Sequence, residues 1–384
     1  MKIGFFSNYL THHQIPFCLE MKKRKDMEFY FVSTMPMEEE RKQGGWTIEG
    51  EYDFEIKAYL SNEQKEKALL LAKECDVMII GSAPEEYVKY RMKKAKTKLT
   101  LRYSERIYKN GRWRVLSPRG ALNRVKTYFR YLGKPLYMLC ASAYTAGDLA
   151  MLGSYLGKCF KWGYFPRAYQ YNQQELLKGK KKNSILWVAR LIDWKKPEIP
   201  VLVAKKLKEK GYDFCLNMIG DGVLKEEIEQ LIKVNCLEEQ VNLLGAMTPE
   251  QVRKYMEESS IFLFTSNQKE GWGAVLNEAM NSACAVVANS QIGSVPFLLE
   301  NEKNGCVYYK NNVDKITDII EKLLNDQELS ERLGLNAHDT IVNKWSAAVA
   351  AERLIETCEN LLNGKKKYFK DGPLSKAKIK VKKG

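Results

Sequence analysis

At 384 residues the chain exceeds the usual size of one hydrophobic core and implies two domains. Its 45% hydrophobic and 28% charged residues form an ordinary soluble globular composition, and the uncharged stretch 135–147 is too short for the ~20 apolar residues a membrane-spanning helix needs. The formal charge of +15 is unevenly placed: residues 89–134 hold sixteen Lys/Arg against one acid, Glu105, and residues 365–384 hold nine Lys against one acid, Asp371.

Two such zones on an otherwise mildly acidic chain favour an anionic partner: a membrane surface, a nucleic acid or an acidic substrate. The nine cysteines are odd in number, form no C-x-x-C pair and sit mostly in apolar runs. They read as reduced core thiols of a cytosolic protein. With only His12, His13 and His338 to join them, zinc is not expected. Met1 leads straight into the strand-like KIGFFS, so no signal peptide is expected.

Short apolar runs alternate with helical patterns, the mark of βαβ units on a parallel sheet. Strands are predicted over 2–7, 28–32, 76–81, 98–103 and 136–143, then over 184–190, 214–220, 241–245, 261–265, 285–288 and 305–308. Between the two sets lies KWGYFPRAYQYNQQELLKGKKKN, polar, aromatic and unpatterned. It reads as a link between two doubly wound domains, 1–166 and 167–344. A helix follows over 345–364, with Ser346 as its cap and Gly364 at its end. The basic tail 365–384 holds too little apolar surface to order itself.

The chemistry concentrates in the second half. KEGWGAVLNEAM places Glu270 before a Gly-Trp-Gly turn and Glu278 some turns into the helix behind it. Gly271 and Gly273 allow a tight turn and close approach of a ligand to backbone. The helix start offers free N–H groups and partial positive charge, suited to phosphate. An acid on each side of a phosphate cradle suits a nucleotide sugar. ILWVARLIDWKKPE sets Arg190 at a strand end and Lys195 five residues on, two cations able to grip a diphosphate. In FCLNMIGDGVLKEEIEQL, Gly220 and Gly222 again bare the backbone around Asp221. Taken singly, each motif is equally a plain turn or a surface ion-pair face.

Arg190 with Lys195, IGDG with its Leu-Lys-Glu-Glu helix, and Glu270-x7-Glu278 occur in that order. Their intervals resemble the donor half of retaining glycosyltransferases of the family 4 kind, the glycosyl transferases group 1. SVPFLLENEKNGCVYY and KWSAAVAAERL are similar to that family's later segments. The resemblance covers about 183–362 well and the N-terminal half in architecture only. It implies a GT-B fold: two Rossmann-like doubly wound α/β domains facing a cleft, with the C-terminal helix crossing back to the N-terminal domain. It implies that Arg190 and Lys195 neutralise the departing nucleotide diphosphate and Glu270 binds donor sugar hydroxyls. Backbone amides from Gly271, Trp272, Gly273, Ala274, Val275 and Leu276 would hold sugar and phosphate, and Glu278 the ribose. The base would lie near Gly220, Asp221 and Gly222 and near Gly245, Ala246 and Met247. Two departures stand out. Trp272-Gly273-Ala274-Val275 occupies the place of Phe-Gly-Leu-Pro, and Gly293-Ser294-Val295-Pro296-Phe297 lacks the acid of GGVPE. Many members set a His of the first domain over the transferred sugar. Here the acceptor-side candidates are His12, His13, Ser82, Glu105 and Arg106, with a structural ion pair of Glu105 to Arg102 or Arg106 as the rival reading.

No Asp-x-Asp occurs, so neither metal nor any other cofactor is expected. RWRVLSPRGALNRVKTYFRYLGKPLYML mixes cations and aromatics in the manner of a surface lying on anionic headgroups. The expected partners are a nucleotide-diphosphate sugar, a glycan or lipid-linked acceptor and the inner face of the plasma membrane, for a cytoplasmic, peripherally bound enzyme. A UDP-sugar is preferred to a GDP-sugar, and capsule or lipopolysaccharide assembly is the expected setting. Three rival readings remain: an epimerase or phosphorylase on the same fold, a basic nucleic-acid-binding protein, and a sugar-nucleotide sensor. The paired glutamates speak against a nucleic acid, because they repel phosphate backbones, and no binding module is recognisable.

Overall fold

A computed structural model of the chain describes residues 1–38, 50–111, 118, 120, 122, 131 and 133–379. It divides into two compact units: Met1–Arg167 with the C-terminal residues from Ser346 onward, and Ala168–Trp345.

The first unit is built on strands β1 (Lys2–Ser7), β2 (Glu28–Ser33), β3 (Glu55–Lys57), β4 (Val77–Ile80), β5 (Leu99–Ser104), β6 (Leu136–Cys140) and β7 (Cys159–Lys161). They form one parallel sheet in the order β3-β2-β1-β4-β5-β6-β7. Strands β1 and β4 read as continuous apolar runs because helices cover both faces of such a sheet. The helices here are α1 (Ile15–Lys22), α2 (Asn62–Glu74), α3 (Glu85–Lys94) and α4 (Thr145–Ala150). Arg91 of α3 is buried and donates to the carbonyls of Ala72, Cys75, Asp76 and Leu99, tying the α2 and α3 connections to the sheet. Strands β3 and β7 are findings beyond the sequence. At three residues each, they are too short to show an alternation. Most of the aromatic-basic stretch 112–139 lies outside the described residues, and its expected surface role with it.

In the second unit α5 (Gln173–Lys178) precedes β8 (Lys181–Val188). There follow α6 (Glu198–Glu209), β9 (Cys215–Ile219), α7 (Lys225–Val234), β10 (Val241–Leu243), α8 (Pro249–Glu258) and β11 (Ser259–Phe264). Then come α9 (Val275–Asn281), β12 (Ala285–Asn289), α10 (Val295–Leu298), β13 (Cys306–Tyr308), α11 (Val313–Asn325) and α12 (Gln327–Lys344). The sheet is parallel, in the order β10-β9-β8-β11-β12-β13. The supposedly unpatterned link thus holds a helix, α5, capped by the Asn172 side chain, and the first residues of β8. In each sheet the earliest long strand, β1 or β8, is central, and connections leave it to both sides. At that reversal of strand order, crevices open outside the C-terminal strand ends.

Helix α13 (Ala347–Leu362) returns the chain to the first unit and packs on α1 and β5. Ser346 caps it through the Val349 amide, and Gly364 follows its end with φ +68°. No helix among the described residues is long and apolar enough to cross a membrane. All nine cysteines are free thiols; seven are buried, while Cys215 is half-buried and Cys236 exposed.

The basic tail departs from expectation. Its described part is ordered along the free edge of β7. Lys161 N–H donates to the Ser375 carbonyl at 2.8 Å, Leu374 N–H to the Lys161 carbonyl at 2.8 Å, and Ala377 N–H to the Cys159 carbonyl at 3.0 Å. Leu374 is fully buried, Lys161 pairs with Asp371 at 2.8 Å, and the Arg353 guanidinium of α13 lies 4.7 Å from the Phe369 ring. An edge strand offers unpaired backbone groups to any segment in reach. The order therefore comes from β7 and α13, and the tail's own composition does not reveal it. Replacing Leu374 by Ala is expected to cost about 2–3 kcal/mol in guanidinium unfolding. An unchanged midpoint would show that the strap holds nothing.

Candidate active site

Strand β8 delivers the chain to Arg190 and to a 3-10 turn, Asp193–Lys195, while its neighbour β11 delivers it to the loop carrying Glu270. Side chains that the motifs did not single out join the two loops. The Trp187 indole N–H donates to the Thr265 hydroxyl at 2.8 Å, and that hydroxyl donates to the Lys195 carbonyl at 2.7 Å. The Asn267 N–H donates to the Trp194 carbonyl at 2.9 Å. Lys196 closes the turn in the left-handed region at φ +57°, which costs a non-glycine residue roughly 1–2 kcal/mol. The result brings the Lys195 ammonium onto the Glu270 carboxylate, with only 15% and 13% of the two side chains exposed. The Arg190 guanidinium is exposed and stands 5.8 Å from the Trp194 ring centre. Around them Asp193 pairs with Lys196 at 2.8 Å and with Lys269 at 3.8 Å. The Lys196 hydrogen bond holds the Asp193 carboxyl below its ordinary value.

The glycine-rich loop next to Glu270 is built from inside. Gly273 has φ +80°, and a Cβ there would fall 2.5 Å from a Phe264 ring carbon and 3.3 Å from Glu270 Cγ. Trp272 is fully buried. Its indole donates to Asn277 Oδ1 at 2.9 Å, and its ring lies against Phe297 and Trp345. The side chains of Trp272 and Leu276 are therefore core, and the Leu276 N–H is already bonded to the Gly273 carbonyl at 3.0 Å. Helix α9 begins only at Val275, so Glu278 stands in its first turn, not some turns into it. Burial raises the Glu278 carboxyl above its ordinary value, and the Arg253 guanidinium of α8 pulls it back down. Arg253 also donates to the Glu278 carbonyl and to Asn281 Oδ1, each at 3.4 Å.

Gly220 and Gly222 serve another purpose than exposing backbone to a ligand. A Cβ on Gly220 would lie 1.8 Å from the Ala189 carbonyl oxygen, and one on Gly222 2.5 Å from that of Leu191. The freed space is filled by the chain's own β8 loop. Leu191 N–H donates to the Asp221 carbonyl at 2.9 Å and Gly220 N–H to the Gly245 carbonyl at 2.8 Å. The loops after β8, β9 and β10 are thereby locked side by side. Asp221 and Ala246 are exposed and Met247 is half-buried, on the same sheet edge as Arg190.

In the first unit the acceptor-side candidates follow β1 (His12, His13), β4 (Ser82) and β5 (Glu105, Arg106), three neighbouring strands. The rings of His12 and His13 are 3.8 Å apart, and burial, then the neighbouring His12, pushes the His13 imidazole well below its ordinary value. Ser82 is exposed. Glu105 is paired with Lys109 at 2.5 Å, not with Arg102 or Arg106, and accepts the Tyr164 hydroxyl at 2.8 Å. Arg102 instead pairs with Glu85 at 2.9 Å. Arg106 is 5% exposed and lies 3.8 Å from the buried Asp148 carboxylate, so it is a structural cation with no open face for an acceptor. The same Asp148 oxygen accepts the amides of Ile107 and Tyr108 at 3.2 Å, fixing the loop that presents Glu105. Tyr164, whose ring is 6.1 Å from His13, and Asp148 escaped the sequence reading. Tyr164 stood in the aromatic link, the one signal available.

Arg190, Lys195, Glu270 and Glu278 all lie within one recognisable stretch of sequence. Residues 170–340 match the family model described as Glycosyl transferases group 1. The poly(ribitol-phosphate) alpha-N-acetylglucosaminyltransferase of Staphylococcus aureus is 30% identical over 177 residues, covering 46% of this chain and 34% of that protein. A Campylobacter jejuni 4-alpha-N-acetylgalactosaminyltransferase, named for a diphospho-undecaprenol substrate, is 32% identical over 149 residues, covering 39% of each chain. The chain thus spans well under half the length of these two relatives. Anabaena HepE, solved in complex with UDP, superposes with a TM-score of 0.68 at 15% identity, covering 94% of this chain and 100% of that one. That likeness concerns the fold, two parallel-sheet Rossmann-like α/β domains of the GT-B class.

Because burial raises the carboxyl of Glu278, its ionisation opposes folding. The opposition is absent below the ordinary value near 4.5, grows as pH rises from there through the raised folded value, and is complete above it. Glu278→Gln is therefore expected to raise the melting temperature at pH 7 and to leave it unchanged near pH 4. An equal effect at both pH values would refute the assignment.

Proposed function

We propose that the protein is a retaining glycosyltransferase of family 4 type, which moves a sugar from a nucleoside-diphosphate donor, UDP before GDP, to a growing lipid-linked glycan. The observation that carries the reading is the convergence of Arg190, Lys195 and Glu270 on the C-terminal ends of the adjacent strands β8 and β11, inside the family-matching stretch. Arg190 and Lys195 take up the charge that grows on the diphosphate as the bond to the sugar breaks. Glu270 accepts hydrogen bonds from the sugar hydroxyls and Glu278 those of the ribose. With two cations placed for that charge, the transfer is read as independent of metal. An acceptor hydroxyl enters on the face the diphosphate leaves, which retains the anomeric configuration. Glu105, oriented by Tyr164 and Lys109, and the His12–His13 pair are the acceptor-side groups of the reading.

The names of relatives support the substrate class: one acts on a ribitol-phosphate polymer and another on a diphospho-undecaprenol glycan. Surface polysaccharide assembly, of capsule or lipopolysaccharide, at the cytoplasmic membrane face fits both. The exposed Lys365, Lys366 and Lys367 would add ~1 kcal/mol each near an anionic surface.

Calorimetric titration with UDP, GDP and ADP tests the donor reading. Micromolar binding of one nucleotide, weakened about tenfold or more by Glu278→Ala and by Arg190→Ala, is expected; binding of none would end it. Changing the three lysines to Ser should lower retention on vesicles containing phosphatidylglycerol, and unchanged retention would remove the membrane from the proposal.

A further inference from the structure

The lysines of the candidate site are balanced internally. Lys196 is paired with Asp193 and Glu198, Lys269 with Asp193, and Lys195 with Glu270. Only the last pair is largely buried on both sides. Both of its members are also fixed at the backbone. The Lys195 carbonyl is held by Thr265, the Glu270 N–H donates to the Asn267 carbonyl at 3.0 Å, and the Glu270 carbonyl accepts the Gly293 N–H at 3.3 Å. The missing Cβ of Gly273 leaves room for the Glu270 side chain, whose Cγ would stand 3.3 Å from a Cβ at that position.

We propose that Glu270 discriminates between a nucleoside diphosphate that carries a sugar and one that has lost it, by exchanging the Lys195 ammonium for sugar hydroxyls. The inference rests on the donor-site reading and deepens it. A diphosphate can take Lys195 only by displacing the carboxylate. When a sugar is attached, its hydroxyls offer Glu270 new donors, and the exchange is balanced. When the sugar is gone, Glu270 gains no donor, and the terminal phosphate carries an additional negative charge. A partly desolvated carboxylate is then left facing an anion, the arrangement that burial penalises most. Glu270 thus favours the donor over the spent nucleotide and, by re-pairing with Lys195, promotes release of the product. Arg190, 5.8 Å from the Trp194 ring centre, is a further cation of the site and does not distinguish the two ligands.

The test is calorimetry on the full chain, wild type and Glu270→Gln. The ligands are UDP, GDP and ADP, and UDP-glucose, UDP-N-acetylglucosamine and GDP-mannose. Glu270→Gln is expected to bind the sugar-free nucleotide about tenfold more tightly, about 1.4 kcal/mol, and the matching sugar nucleotide less tightly. In a Lys195→Gln background the gain should shrink, because no pair is left to displace and only the carboxylate's repulsion of the anion is relieved. Damage to the fold would weaken both ligands together, so opposite changes separate the role from a structural one. If the wild type binds a nucleotide but Glu270→Gln binds it no more tightly, the discrimination idea is overturned and the donor site stands. If the wild type binds none of the six, both fall together.

Discussion

The adjacency of β8 and β11 governs the candidate site. Two strands separated by a long stretch of chain lie side by side at the centre of one sheet, and their C-terminal loops share a hydroxyl, Thr265. That hydroxyl accepts the Trp187 indole from within the sheet and donates to the turn carrying Lys195. Everything polar above it inherits this registration: the turn, the ammonium, and the carboxylate opposite. In a poorly solvated place a lysine needs an anion, and the fold supplies Glu270. That this half-enclosed lysine carries its own counter-ion is a consequence of burial, and under the proposed reading a ligand would enter by exchange.

The glycines of the second unit fall into two groups. Gly273 turns the chain sharply beneath Glu270, in the role its motif suggests. Gly220 and Gly222 look alike in sequence but let two loops of the same sheet edge touch, backbone on backbone. Both uses follow from the missing Cβ, and a sequence cannot say whether the freed space receives a ligand or a neighbouring loop.

The first unit shows the same division of labour. Buried charge is spent on structure: Arg106 with Asp148 fixes the loop after β5, and Arg91 ties α2 and α3 to the sheet. The half-buried groups beyond it, Glu105, Tyr164 and the histidine pair, keep their polar atoms near the strand ends. The lysine-rich tail belongs with the structural group up to its last described residues, since Leu374 and the backbone around it complete the edge of β7. A Glu278 that opposes folding while serving a ligand would be the usual conflict between stability and function.

The sequence alone was enough for the alternation of strands and helices, the Ser346 cap, the Gly364 stop and the ordered spacing of Arg190, Lys195, Glu270 and Glu278. These depend on periodicity and on neighbours within a turn or so of helix, which a linear text preserves. It did not reveal that Lys195 and Glu270 neutralise each other across 75 residues, or that Thr265 holds the Lys195 turn across 70. Nor did it show that Glu105 pairs with Lys109 and Tyr164, or that the tail borrows its order from β7. Those contacts are decided by which strands become neighbours and which edges stay unpaired. Only the folded sheet settles that, because the energy of each pairing exists only once the chain has closed the loop that brings the partners together.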